Sequence, residues 1–145
     1  MAKKVMVIGK VGCGKTTLCQ QLNKEQVQYK KTQAVEIVGK TIDTPGEYVE
    51  RKRFYQALLV TSADADCILM LQDATDGQCA YSPGMYGMFQ KQLIGVVTKI
   101  DLAEDEEQIR QAEEYLELAG AKPIYRVCSL NQEGIEALAN YLEEE

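Results

Sequence analysis

The segment Gly9-Lys10-Val11-Gly12-Cys13-Gly14-Lys15-Thr16 constrains this chain more than any other. It fits the pattern G-x-x-x-x-G-K-[ST], in which glycines let backbone N–H groups converge on phosphate oxygens and the N-terminus of the next helix adds a positive partial charge. Its flanks have the character such a loop needs. Val5-Met6-Val7-Ile8, just before it, is a short continuous apolar run, the mark of a strand buried on both faces of a parallel sheet. Beyond it, Leu18 and Leu22 recur at i, i+4, so the spacing predicts a helix from Lys15 to about Asn23. Lys15 is expected to reach the β- and γ-phosphates of a nucleoside triphosphate, GTP or ATP, and the Thr16 hydroxyl to ligate Mg²⁺. Gly9, Lys10, Val11, Gly12, Cys13, Gly14 and Thr17 complete the expected phosphate cradle.

The rest of the chain alternates apolar runs with helical periods. Residues 24–34 read as a polar connection, and 35–38 and 40–43 as two strands joined by a tight turn at Gly39. Phe54, Leu58 and Leu59 predict a helix over about 52–63, and 67–71 is a fully apolar strand. Gly77, Pro83, Gly84 and Gly87 mark an irregular surface loop with a short helix. Residues 93–97 read as another buried strand, Ile109, Ala112, Leu116 and Ala119 as a helix over about 105–119, Pro123 to Val127 as a last strand, and Ile135, Leu138 and Leu142 as a C-terminal helix. This alternation predicts an α/β fold over 1–145: one domain with about six strands, mostly parallel, one antiparallel edge strand, and helices on both faces. In such sheets ligands bind at the carboxyl ends of the strands, where the glycine- and aspartate-containing segments fall.

Composition excludes several classes of function. With a formal net charge of −6 and a pI near 4.8, the chain lacks the basic face needed to grip nucleic acid or anionic lipid without regard to sequence. Lys3-Lys4, Lys30-Lys31 and Arg51-Lys52-Arg53 are local exceptions, read as solvated surface. Five dispersed cysteines without a CxxC, and no histidine, argue against a zinc site. No secretory apolar region precedes the glycine-rich loop and no run reaches membrane-spanning length, so a cytoplasmic protein with reduced thiols is expected. Cys13 is read as a small residue filling the loop.

Three further segments carry chemistry. Asp43-Thr44-Pro45-Gly46 ends a strand expected to neighbour the first, so Asp43 can hold Mg²⁺ directly or through water and the Gly46 N–H can approach a γ-phosphate; by itself the segment is also a good turn. In Thr98-Lys99-Ile100-Asp101, the Asp101 carboxylate can accept the N1–H and exocyclic amino group of guanine, while the stem of Lys99 covers the base. Adenine presents the opposite pattern at that edge, which favours GTP; the structural alternative is a charged cap after a strand. Ser129 and Leu130 lie where a further base contact would fall, and Thr32 is the candidate hydroxyl that closes on Mg²⁺ and γ-phosphate from a switch loop. Lys15, Thr32 and Gly46 are thus the expected catalytic set. Tyr81, Met85, Tyr86, Met88 and Phe89 form either a contact patch or the buried face of the short helix.

The phosphate loop, the switch threonine, DTPG and TKxD, in this order, resemble the Ras-like GTPase family of P-loop NTPases over nearly the whole chain. Lys31-Thr32-Gln33-Ala34-Val35-Glu36, followed by Ile42-Asp43-Thr44-Pro45-Gly46-Glu47-Tyr48, is similar to the EutP/PduV group of ethanolamine and propanediol utilisation. The resemblance implies a minimal Ras-like domain, nucleotide and Mg²⁺ as ligands, and a role linked to bacterial microcompartments. It also implies two alternatives to slow GTP hydrolysis: phosphoryl transfer from ATP to acetate, or a nucleotide-gated adaptor that meets a microcompartment shell protein. Three departures from the Ras-like pattern stand out. Glu47 occupies the position of the usual water-orienting glutamine, Val11 that of a glycine, and Thr98 that of an asparagine whose amide ties the base loop to the phosphate loop. Slow hydrolysis, or an unusual positioning group, is the expectation from the first two; loss of that tie, which weakens the case for guanine over adenine, is the expectation from the third.

Overall fold

The computed structural model describes residues 3–22, 36–38, 41–79, 81, 87, 89–128 and 134–143, with backbone alone for 36–38. Six strands form one sheet: β1 (Val5–Ile8), β2 (Glu36–Val38), β3 (Thr41–Asp43), β4 (Cys67–Asp73), β5 (Gln92–Thr98) and β6 (Ile124–Arg126). Their order is β2-β3-β1-β4-β5-β6, parallel throughout except for β2, which pairs antiparallel with β3 at the edge. Helices α1 (Lys15–Leu22), α2 (Glu47–Glu50), α3 (Tyr55–Ser62) and α4 (Glu106–Leu118) lie in the connections between strands, and α5 (Ile135–Glu143) follows β6.

Strand alternation divides the core into two layers. Met6 and Ile8 of β1, with Ile68 and Met70 of β4, face Leu58 of α3 and Leu116 of α4. Val5 and Val7, with Leu69 and Leu71, face Leu18 and Leu22 of α1 and Leu138 and Leu142 of α5. Both faces are thus covered, and β1 is buried along its whole length, as expected of an inner strand in a parallel sheet. The edge strand β6 is held to α4 by Arg126: Nε and Nη2 donate to Glu113 at 3.0 and 2.9 Å, and Nη1 lies 2.7 Å from Glu106. Those bonds, from Glu113 first, push the guanidinium pKa above its ordinary value.

Three local expectations change. α2 forms where Pro45 and Gly46 read only as a break, and the helix expected from about residue 52 begins as a 3-10 turn, Lys52–Phe54, before α3. The Tyr48 and Phe54 rings stack at 4.9 Å across this junction, with the Arg53 guanidinium 4.7 Å from the Phe54 ring. β4 extends to Asp73 because its polar Gln72 is satisfied inside the fold, where Nε2 donates to the Gln78 carbonyl at 3.0 Å. Tyr81 and Phe89 are buried core residues; Met85, Tyr86 and Met88 lie outside the described residues.

Candidate functional site

The chain leaves β1 at Ile8 and turns through the glycine-rich loop into α1. Gly12 and Gly14 adopt φ of 83° and 102°, a left-handed backbone that residues with a Cβ rarely enter. The Cys13 N–H donates to the Lys10 carbonyl at 3.2 Å, closing the first turn of the loop. Cys13 is the buried plug of this turn: a Cβ on Gly9 would lie 2.5 Å from its Sγ. Burial pushes its thiol up to about 11, so it stays protonated at neutral pH.

Lys15 begins α1 and is 6% exposed, with its ammonium donating to the Lys10 carbonyl at 3.4 Å. An ammonium has three donors, and one long bond to a carbonyl leaves capacity for an anion at the head of the helix. Thr16 follows, its hydroxyl donating to Asp43 Oδ2 at 2.5 Å. β3 pairs with β1 so that Val7 stands beside Asp43, which brings the end of β3 to the head of α1. Thr44 adds a second tie, its hydroxyl donating to the Val7 carbonyl at 2.8 Å. Two hard oxygen donors thus meet beside Lys15, the donor type Mg²⁺ takes. Thr17 is half-buried one residue further along α1.

Gly46 caps α2 against the loop. A Cβ there would fall on the backbone of Lys10 and Val11, so only glycine permits this approach. Val11 is 45% exposed above it, and Glu47 begins α2 half-buried.

On the other side, the end of β5 meets the loop. The Thr98 hydroxyl donates to the Cys13 carbonyl at 2.7 Å in a buried contact. The expectation that the tie is lost with the asparagine is therefore corrected: the shorter threonine side chain makes it itself. Lys99 takes the left-handed conformation, φ 58° and ψ 38°, its ammonium donating to the Gly12 carbonyl and lying 3.2 Å from Asp73 Oδ2. Asp101 is exposed on the 3-10 turn Ile100–Leu102. Thr32, Ser129 and Leu130 lie outside the described residues.

Two carboxylates at this site were not anticipated from the sequence. Asp73, the last residue of β4, and Asp76, in the turn that follows, hold Lys99 and Lys10 at 3.2 and 3.1 Å. Their segment reads as an irregular loop because each partner lies far away in the chain. Tyr81 is a third such residue: its buried hydroxyl donates to the Leu71 carbonyl at 2.7 Å and lies 3.4 Å from that of Ile8, bracing the ends of β4 and β1 beneath the loop.

The fold is that of a Ras-like P-loop domain. Elongation factor SelB from Methanococcus maripaludis, solved with the GTP analogue GppNHp, superposes with a TM-score of 0.70 at 20% identity, over 98% of this chain and 33% of that one. The chain therefore spans about a third of that structure. Among curated proteins, propanediol utilization protein PduV of Citrobacter freundii is 39% identical over 140 residues, covering 97% of this chain and 93% of the relative. The probable acetate kinase EutP of Escherichia coli K12 is 33% identical over 142 residues, covering 97% and 89%. Residues 2–144 match the sequence profile of the PduV-EutP family, described as ethanolamine utilisation - propanediol utilisation. With this match over nearly its whole length, the chain belongs to the PduV-EutP family.

Proposed function

We propose that the chain binds GTP with Mg²⁺ and hydrolyses it slowly, as a P-loop protein of ethanolamine or propanediol utilisation. The observation that carries this reading is the Thr16–Asp43 pair, 2.5 Å apart beside the buried Lys15 at the head of α1. Lys15 and the loop N–H groups bind and orient the β- and γ-phosphates. Thr16 and Asp43 would hold Mg²⁺, which when bound neutralises charge on the phosphate oxygens. Gly46, with its backbone against Lys10 and Val11, is assigned to sense the γ-phosphate through its N–H, and Thr32 to close over it. Asp101 accepts from guanine, and Lys99 covers the base.

Slow turnover follows from two residues. Glu47 is an acceptor where a water-orienting amide would serve, and Val11 adds exposed bulk over the loop. Isothermal titration with Mg²⁺ and GTP or ATP tests the reading. Tight GTP binding that drops about a hundredfold in Asp101→Asn, with ATP binding unchanged, is the expected outcome, since a lost pair of base contacts leaves polar groups unmatched. Absence of GTP binding defeats it.

A second reading rests on the likeness to the Escherichia coli relative, a probable acetate kinase. The same loop would then present the γ-phosphate of ATP to acetate in place of water. A coupled assay for acetyl phosphate separates the two, with Lys15→Ala as control.

A further inference from the structure

We propose that Asp76, outside the phosphate-binding motif, is a positioning residue for the phosphate loop and acts on Lys15 through Lys10. The inference rests on the reading of that loop as a nucleotide site.

Lys10 faces two ways. Its ammonium donates to Asp76 Oδ2 at 3.1 Å, in a pair whose side chains are 25% and 31% exposed. Its carbonyl oxygen accepts from the Cys13 N–H at 3.2 Å and from the Lys15 ammonium at 3.4 Å. The side chain of one residue is thus anchored at Asp76, while its main chain sets the first turn of the loop and the resting place of Lys15.

Asp76 stands on a braced turn. Its Oδ1 accepts from the Gln78 N–H at 3.0 Å, and its own N–H donates to the Asp73 carbonyl at 3.1 Å. The buried Gln72 amide donates to the Gln78 carbonyl at 3.0 Å, and the Tyr115 hydroxyl of α4 donates to the Gly77 carbonyl at 2.8 Å. A line of contacts therefore runs from α4 through the turn to Asp76, Lys10 and Lys15. Lys10, Val11, Cys13, Leu71, Asp73 and Asp76 enclose a cleft of about 50 Å³ between the turn and the loop. Ligand pockets start near ~300 Å³, so this cleft is a joint between two segments rather than a second binding site.

The sign of one substitution separates positioning from simple charge. A carboxylate near bound phosphates repels them, so by charge alone Asp76→Asn strengthens nucleotide binding. If Asp76 holds Lys10 and so orders the loop before the ligand arrives, the same change weakens binding. Titration with the fluorescent mant-GDP and mant-GTP in Mg²⁺ measures this for the wild type, Asp76→Asn, Lys10→Met and the double variant. Each single change is expected to lower affinity about three- to tenfold, the range of one partly exposed hydrogen bond, and the double variant to lose no more than the single variant with the larger loss. Tyr115→Phe, at the far end of the brace, should show a smaller loss of the same sign. An Asp76 needed only for folding would lower affinity further in the Lys10→Met background, and that result overturns the proposal. So does unchanged or tighter binding by Asp76→Asn. A wild type that binds neither probe overturns this inference and the nucleotide reading together, whereas normal wild-type binding with an unaffected Asp76→Asn overturns this inference alone.

Discussion

The Thr98 hydroxyl reaches the carbonyl oxygen of Cys13 across 2.7 Å, fastening the end of β5 to a loop 85 residues earlier in the chain. The end of β5 and the glycine-rich loop are thereby held in one frame.

Thr98→Val keeps the shape of the side chain and removes the donor. Loss of a buried hydrogen bond should lower stability by about 1 kcal/mol and loosen the loop enough to weaken GTP binding about threefold. Urea denaturation of the ligand-free protein and titration with GTP check the two effects. Unchanged values for both would mean that the contact contributes nothing.

Gly46→Ala places a methyl group on the backbone of Lys10 and Val11, which cannot move aside as a flexible side chain would. Since Gly46 is assigned to the γ-phosphate, GTP affinity or turnover should fall by about tenfold or more. GDP affinity should stay within about threefold. Parallel GDP and GTP titrations read the difference, and equal losses for both nucleotides would remove the γ-phosphate role.

Thr16→Ala and Asp43→Asn each remove one oxygen donor from the pair at the head of α1. Each should raise the Mg²⁺ concentration needed for half-maximal nucleotide binding by about tenfold, as expected when a metal site loses a ligand. A Mg²⁺ titration at fixed GTP decides this. A Mg²⁺ requirement untouched by both substitutions excludes the pair as the metal site.

Cys13 links the site to pH. Its folded pKa, raised by burial to about 11 from an ordinary 9.0, means the folded chain keeps a proton that the unfolded chain releases earlier. The resulting stability is fully present below pH 9 and is lost as pH rises through about 11. Cys19 and Cys67, also raised by burial, act in the same direction. Denaturant melts from pH 8 upward should show falling stability from about pH 9, with a shallower slope in Cys13→Ala. A slope identical to that of the wild type would place the titration elsewhere. Alkylation of Cys13 by iodoacetamide at pH 8 should be slow, because little thiolate is present.

Much of the site was legible in the sequence because its signals are local. The phosphate loop combines backbone conformation, a helix terminus and a lysine within a few consecutive residues, and each can be read from residue type and spacing. Asp43 could be assigned to the same site because an apolar β3 next to β1 carries it to the loop. What stayed hidden is the contact set that crosses long stretches of chain. Asp76 reads as loop polarity until Lys10 is placed 3.1 Å away, and Tyr81 reads as one aromatic among several until its hydroxyl meets the carbonyl oxygen of Leu71. α2 escaped notice because Pro45 and Gly46 signal an interruption, whereas a single helical turn after them depends on Gly46 packing against the phosphate loop.

The sequence by itself determined the alternation of strands and helices, the antiparallel edge, the phosphate loop and the family, because hydrophobic period and motif spacing are properties of neighbouring residues. Tertiary structure alone decided how that loop is held: by Thr98 on one side, Gly46 on another, and the Asp76–Lys10 pair on a third. These contacts join residues that only the order of strands in the sheet brings together. A single threonine hydroxyl at the end of β5 could therefore take the place of the expected amide, a substitution that residue type alone presented as a loss.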